Sequence, residues 1–271
     1  MAGVDVGATL AKLALRDARG SLRYALHPSH ALDRVVRAIR RARPVRIGLT
    51  GGGAESLGRL LDGKATRVTE FAAWGSGIAE MLGAALPAPA PRYLVASVGT
   101  GTSVLLVDGL SVSRIGGTAL GGGTVVGLGA CLVGSADFAE IAALAARGSR
   151  REVDLLVSDI YRAGEIALAA DLTASSFAKL ARVDPACAPR REDLAAALMG
   201  LVGENVALIC GGLAAAAQVS RVLYAGSTLR DNPVLRDVIA LVTSALGRTP
   251  VFPAHGEFAG AVGAMLLAAS H

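Results

Sequence analysis

Short apolar runs broken by glycine open the chain, and they set its first elements. Ala2–Val6 is an apolar run around one acid, Asp5, and predicts a short buried strand. Gly7-Ala8-Thr9 reads as a turn, Leu10–Arg16 as a second strand and Ser21–Leu26 as a third. Residues 31–43 then change period. Arg34, Arg37 and Arg40 recur three apart with Val35, Val36 and Ile39 between them, which predicts an amphipathic helix ended by Pro44. Val45–Leu49 reads as a strand running into Thr50-Gly51-Gly52-Gly53, and Ala54–Leu61 as a helix. Strand, hairpin, helix and strand in this order predict an α/β lobe.

The pattern recurs beyond a proline-rich joint at Pro87–Pro91. Tyr93–Val98 is an apolar strand, Gly99–Thr102 a turn and Ser103–Val107 a returning strand. Asp108-Gly109 is a hairpin signal, with Leu110–Ile115 the strand after it. Later come a long helix over Arg191–Val219, a strand at Arg221–Ala225, a helix at Asn232–Leu246, a strand at Pro250–Phe252 and a last helix from Phe258. Two strand–Gly/Thr turn–strand openings thus stand about ninety residues apart, a weak internal repeat. Two lobes are expected, residues 1–88 and 89–271.

Composition narrows the class. The chain has 271 residues, 52% hydrophobic and 18% charged, which suits two modest cores and argues against long disordered tracts. The longest apolar runs, such as Val206–Val219, are short for a bilayer, so no membrane span is expected. The N-terminus lacks a basic region and a secretory signal, which makes a cytoplasmic location the expectation. Cys131, Cys187 and Cys210 are too few and scattered for a disulfide framework or a zinc knuckle. The net charge of +5 is concentrated in Arg34, Arg37, Arg40, Arg41, Arg43 and Arg46. No aromatics interleave with this run, so a solvated helix face is expected rather than a nucleic-acid surface.

The candidate chemistry lies in four glycine turns. At Gly7-Ala8-Thr9 the backbone N–H groups and the Thr9 hydroxyl can donate to phosphate oxygens. Asp5 at the strand end suits Mg²⁺ held through water, and Lys12 adds positive charge. Gly99-Thr100-Gly101-Thr102-Ser103 offers a second set of donors. Gly116-Gly117-Thr118-Ala119-Leu120-Gly121-Gly122-Gly123-Thr124 reads as the glycine-rich start of a helix reaching about Leu132, an anion site with outward N–H groups. Gly226-Ser227 ends a late strand, where ligands of open α/β sheets collect. Plain hairpins and a plain β-to-α turn are the bland readings of all but the third. A Walker A sequence is absent, and the Rossmann pattern fails for want of an acid after Gly48–Gly53.

Taken in order, these segments resemble the actin-like ATPase and sugar-kinase superfamily. More narrowly, the whole chain resembles the type II pantothenate kinases. The likeness rests on residues 3–12, Thr50–Gly53, Thr69-Glu70-Phe71, Val98–Ser103 and Arg114–Thr124. It continues through Asp171–Ala174, Tyr224–Ser227 and Phe258–Ala264. It implies a two-lobed, ribonuclease H-like α/β fold and phosphorylation of pantothenate by ATP with Mg²⁺. Glu70 would be the general base, and Arg114 would bind substrate and the transferring phosphate. Asp5, Val6, Gly7, Ala8, Thr9, Leu10 and Lys12 would hold the nucleotide with Gly99, Thr100, Gly101 and Thr102. Gly121, Gly122, Gly123, Thr124, Val125, Phe138, Gly226 and Ser227 would complete that site. Ser103, Gly116, Thr173 and Ala174 would join Glu70 and Arg114 around the substrate, with Thr173 reaching the partner's site in a homodimer. CoA or an acyl-CoA is implied as a regulator. One departure is Ala8, where the family has glycine; its methyl is tolerable if φ there is negative.

The residues themselves agree with these roles. Glu70 stands where a strand gives way to a helix, beside Phe71 and near Trp74, surroundings that raise a carboxyl pKa toward a base's range. A helix-start acid favoured by the dipole is the plain alternative. Arg114 precedes the third glycine turn, where its planar fork suits phosphate or carboxylate. A hexosamine kinase or activator of the same superfamily, a ligand sensor on the same fold and an NAD-binding protein stay open as other readings.

Overall fold

The computed structural model describes residues 1–83, 92–109, 111–162, 165, 172–182 and 188–270. The proline-rich joint, Leu110, Asp171 and Cys187 lie outside them. Two five-stranded sheets carry the fold. The first holds β1 (Ala2–Val6), β2 (Leu10–Arg16), β3 (Leu22–Pro28), β4 (Ile47–Thr50) and β5 (Thr66–Arg67), in the order β3-β2-β1-β4-β5. The second holds β6 (Arg92–Val98), β7 (Thr102–Asp108), β8 (Ser111–Thr118), β11 (Arg221–Ala225) and β12 (Thr249–Val251), in the order β12-β11-β6-β7-β8. Three antiparallel strands followed by two parallel ones recur in both sheets. The weak repeat of the sequence is therefore a repeat of topology. A small ribbon of β9 (Leu155–Leu156) and β10 (Thr173–Ser175) has no counterpart in the sequence reading.

Amphipathic helices cover the sheets as their periods demand. On α1 (Leu32–Ala42), Val35, Val36 and Ile39 pack with Val4, Leu13, Leu49 and Leu57, while the arginines stay exposed. A second helix, α2 (Ala54–Leu60), adds Leu57 to that core. The largest core forms between the second sheet and α6 (Arg191–Ala216), with help from α4 (Gly122–Leu128), α5 (Phe138–Ala145) and α7 (Pro233–Ala245). Among the described residues α6 is one helix long and apolar enough to cross a membrane, but most of it is buried inside the protein.

Two helices break the expected division at residue 88. The first, α3 (Glu70–Leu82), packs Trp74 and Ile78 under the second sheet, against Tyr93, Val95, Leu105 and Leu223. The last, α8 (Ala259–Ala269), returns to the first sheet, where Ala261, Val262 and Met265 pack on Ala14. Glycine makes these contacts possible. A methyl on Gly3 would stand 1.9 Å from the Ala261 carbonyl oxygen, and one on Gly48 1.9 Å from that of Ala264. Where α3 crosses α8, Gly77 meets the Ala259 carbonyl and Gly263 meets the Ala73 carbonyl just as closely. The chain's far end is thus part of the first lobe, and the crossed helices join the two sheets.

Candidate active site

A cleft of about 360 Å³ opens between the lobes, lined by both hairpin turns. On the first, Gly7 N–H donates to the Leu10 carbonyl at 3.1 Å, and the Ser29 hydroxyl donates to the Gly7 carbonyl at 2.6 Å. Ala8 and Thr9 are left exposed at the tip. The φ of Ala8 is not positive, so its methyl costs the turn nothing. On the second, Gly99 N–H donates to the Gly101 carbonyl at 2.8 Å. The Thr9 and Thr100 hydroxyls meet at 3.0 Å, so the two turns touch across the cleft.

Asp5 lies at the cleft floor, buried and directly opposite Lys12 in the β1–β2 register, with Nζ 3.3 Å from Oδ2. Burial raises its pKa, and the neighbouring ammonium pulls the other way. Gly51 and Gly260 leave room for it, since a methyl on either would stand 2.6 Å or 2.8 Å from a carboxylate oxygen. Glu70 is the first residue of α3, and its side chain makes no hydrogen bond or ion pair with a described residue. Although exposed to the open cleft, its carboxyl is raised above the ordinary range by partial burial and then by the Asp5 charge, with Lys12 opposing. The helix start alone would lower it, so the cleft walls dominate.

Arg114 enters from the opposite lobe. Val104 pairs with Gly116 but Leu105 pairs with Arg114, so Ile115 is an extra residue, a β-bulge. Bulges re-aim side chains, and this one turns Arg114 into the cleft, where its guanidinium lies over Gly117. Ser103, Ser97, Thr118 and Trp74 complete the wall. Trp74 shares the α3 face of Glu70 one turn on.

Through Thr9, Leu10, Gly99, Thr100 and Ser227 the cleft continues into an apolar pocket of about 460 Å³. Gly122, Gly123, Val126 and Gly127 of α4 form one wall, and Phe138 and Thr228 close it. Its size and apolar lining suit a flat heterocycle. Phe138 is fixed by a capped helix start, where Asp137 accepts from the N–H groups of Ala139 and Glu140.

The glycine-rich segment differs from expectation. Gly116–Thr118 continue β8 rather than forming a turn, and the helix starts at Gly122. The N–H groups of Gly121, Gly122 and Gly123 already have partners within the protein. Gly122 N–H donates to the Gly99 carbonyl, Gly123 N–H to the Thr100 carbonyl, and Gly121 N–H to the Thr124 hydroxyl. A methyl on Gly121 would stand 2.7 Å from both the Gly99 and the Thr100 oxygen. These glycines let α4 brace the second turn backbone to backbone, and Thr228 adds a bond from its hydroxyl to Gly99.

Several expected site residues sit elsewhere. Val125 is buried in the second core, and Val126, one step round the helix, faces the pocket instead. Val6 belongs to the first core. Thr102 lines the cleft but spends its hydroxyl on the Leu120 carbonyl at 2.8 Å. Gly116 faces Leu213 of α6, and Gly226 faces a different cavity. Thr173 and Ala174 lie on β10 and do not line this chain's own cleft, and Thr173 accepts from Arg150 at 3.1 Å. Val126, Gly127 and Thr228 line the site without an expected role, while the sequence reading has Thr118 only within the third glycine turn and Trp74 only as a neighbour of Glu70. The signal for Trp74 is its i+4 spacing from Glu70.

The comparisons with known proteins bear on this geometry. A family model described as Fumble matches residues 82–267. A type II pantothenate kinase of Oceanobacillus iheyensis is 32% identical over 97% of this chain and 98% of its own length. One from Bacillus cereus strain G9842 is 33% identical over 97% of each. Component A of Acidaminococcus fermentans (R)-2-hydroxyglutaryl-CoA dehydratase superposes with a TM-score of 0.66 at 18% identity, over 100% of this chain and 97% of that one. A ROK family glucokinase of Streptomyces griseus, in complex with glucose and AMPPNP, superposes with a TM-score of 0.62 at 14% identity, over 100% and 99%. These structures share the actin-like ATPase and sugar-kinase fold, as two mixed sheets of like topology require. With near full-length identity to curated relatives, this chain belongs to the Fumble, or type II pantothenate kinase, family.

Proposed function

We propose that this chain transfers the γ-phosphoryl group of ATP to the primary hydroxyl of pantothenate, giving 4'-phosphopantothenate, the first step of coenzyme A synthesis. The observation that carries this reading is one continuous cavity system. Glu70, Arg114, Asp5 and Lys12 converge in a polar cleft, and shared residues lead from it into an apolar pocket. The base of ATP fits the pocket between α4 and Phe138. Its phosphates then run toward the Thr9 and Thr100 hydroxyls, in reach of Lys12.

Glu70, held above the usual carboxylate range, accepts the proton of the pantothenate hydroxyl as its oxygen bonds to the γ-phosphorus. The bond from that phosphorus to the bridging oxygen breaks, and ADP leaves with the electron pair. Arg114 stabilises charge on the transferring group and holds the substrate. Mg²⁺ suits Asp5, because that ion keeps most of its waters and needs few protein oxygens. It would supply charge neutralisation on the phosphates when bound. A cytoplasmic homodimer, with Thr173 directed at the partner's substrate and CoA or an acyl-CoA as regulator, belongs to the same reading. The test is ADP release by the purified protein with pantothenate, against glucose and N-acetylglucosamine as controls. Release stimulated equally by the sugars, or by none of the three, would overturn it.

A further inference from the structure

A second large cavity, of about 720 Å³, lies between the lobes and shares no lining residue with the cleft or its apolar pocket. Tyr24, Ala25 and Leu26 on β3 form its first-lobe wall, and the ends of β11 and β12 with residues 253–258 form the other. It touches the catalytic side only through chain neighbours: Gly226 faces this cavity, and Ser227 faces the nucleotide pocket.

Its chemistry is unusual for this chain. Four of the ten Phe, Tyr and Trp residues converge here, namely Tyr24, Tyr224, Phe252 and Phe258. They form two separate stacks. Tyr24 lies on Phe258 at 4.6 Å between centroids and 19° between planes, with His255 at 5.0 Å from the same ring. Phe252 lies on Tyr224 at 5.6 Å, and the Arg236 guanidinium stands 5.0 Å from the Phe252 centroid. The two arginines of the lining differ. Arg230 is shared by Asp231 at 3.3 Å and Glu257 at 3.8 Å. Arg236 makes no ion pair with any described residue, and its exposed guanidinium stands beside the Phe252 face.

We propose that this cavity is a binding site for an organic anion with a planar ring. The ring packs against the partly exposed Tyr24 or Phe252, with Phe258 and Tyr224 buried behind them, and the anionic group pairs with the Arg236 fork. Such a ligand contacts β3 of one lobe and the 253–258 segment of the other. It therefore bridges the lobes outside the catalytic cleft. Arg236 and Phe252 touch none of the groups that bind or phosphorylate the substrate.

The test is fluorescence titration with 8-anilinonaphthalene-1-sulfonate, a planar-ring anion, on the intact protein with saturating AMPPNP filling the nucleotide pocket. Wild type should bind one probe per chain under these conditions. Arg236→Gln should weaken binding about tenfold or more, the usual scale for losing a charge-assisted pair. Phe252→Leu should weaken it independently. Both variants should keep wild-type kinase rates without probe, which shows that they are folded. Probe binding that vanishes once AMPPNP is present, or that is unchanged in Arg236→Gln, would overturn the proposal.

Discussion

Glu70→Gln separates chemistry from architecture, because the structure gives this side chain no bond to lose. It stands at the first position of α3 with no hydrogen bond or ion pair to a described residue. Glutamine keeps the size and removes the charge. The helix dipole loses a favourable partner, on the order of 0.3–1 kcal/mol at an exposed site. Loss of the repulsion from Asp5 offsets part of that. Stability should therefore barely move, while loss of a general base costs roughly two to four orders of magnitude in rate. The assay is single-turnover phosphorylation of pantothenate, beside an ATP-binding isotherm and a thermal melt. The pH profile supplies a second readout. The Glu70 pKa is raised, so wild-type rate should fall as pH drops through that raised value, and the part of this acid limb that belongs to Glu70 should be lost in the glutamine variant, leaving only the limb set by Asp5. A glutamine variant that binds ATP normally and retains a third of the wild-type rate would refute the role.

Arg114→Ala should lower kcat/KM for pantothenate at least a hundredfold with an unchanged melt, since the side chain is exposed and bears no ion pair with a described residue. Gly127→Leu should leave the fold intact, because a methyl there meets nothing within 4 Å, yet abolish ATP binding by filling the apolar pocket; calorimetry checks both halves. Gly263→Ala places a methyl 1.7 Å from the Ala73 carbonyl oxygen and should destabilise by about 3 kcal/mol or more, at or beyond the usual overpacking cost, read by urea denaturation.

Hairpins and strands were legible wherever a local cue sufficed. Asp108-Gly109 and the apolar runs around it placed β6 and β7 to the residue or nearly so. The Val35, Val36, Ile39 stripe did the same for α1. Asn232, whose side chain accepts from Leu235 N–H, marks the start of α7. What failed was non-local. Nothing within Ala259–Ala269 says that this helix returns to the first sheet, because its apolar residues would suit either core. The 2–3 residue strands β9 and β10 are too short for any period to show.

The glycine clusters mark the deeper limit. A glycine lets a backbone approach something closely, and the sequence does not say whether that is a ligand or another backbone. Gly121–Gly123 resemble an anion cradle, yet their N–H groups close on Thr124 and on the carbonyls of Gly99 and Thr100. They brace the second turn so that its hydroxyls and the first turn meet at a fixed distance. The same ambiguity hid Gly77 and Gly263, which fix α3 against α8. That crossing carries functional weight. It holds Glu70 at the head of α3 and, through Gly260, keeps space beside the Asp5 carboxylate. Residues proposed to perform chemistry were therefore visible as types in a pattern. Residues that hold the chemistry in register were visible only once the two backbones were seen in contact.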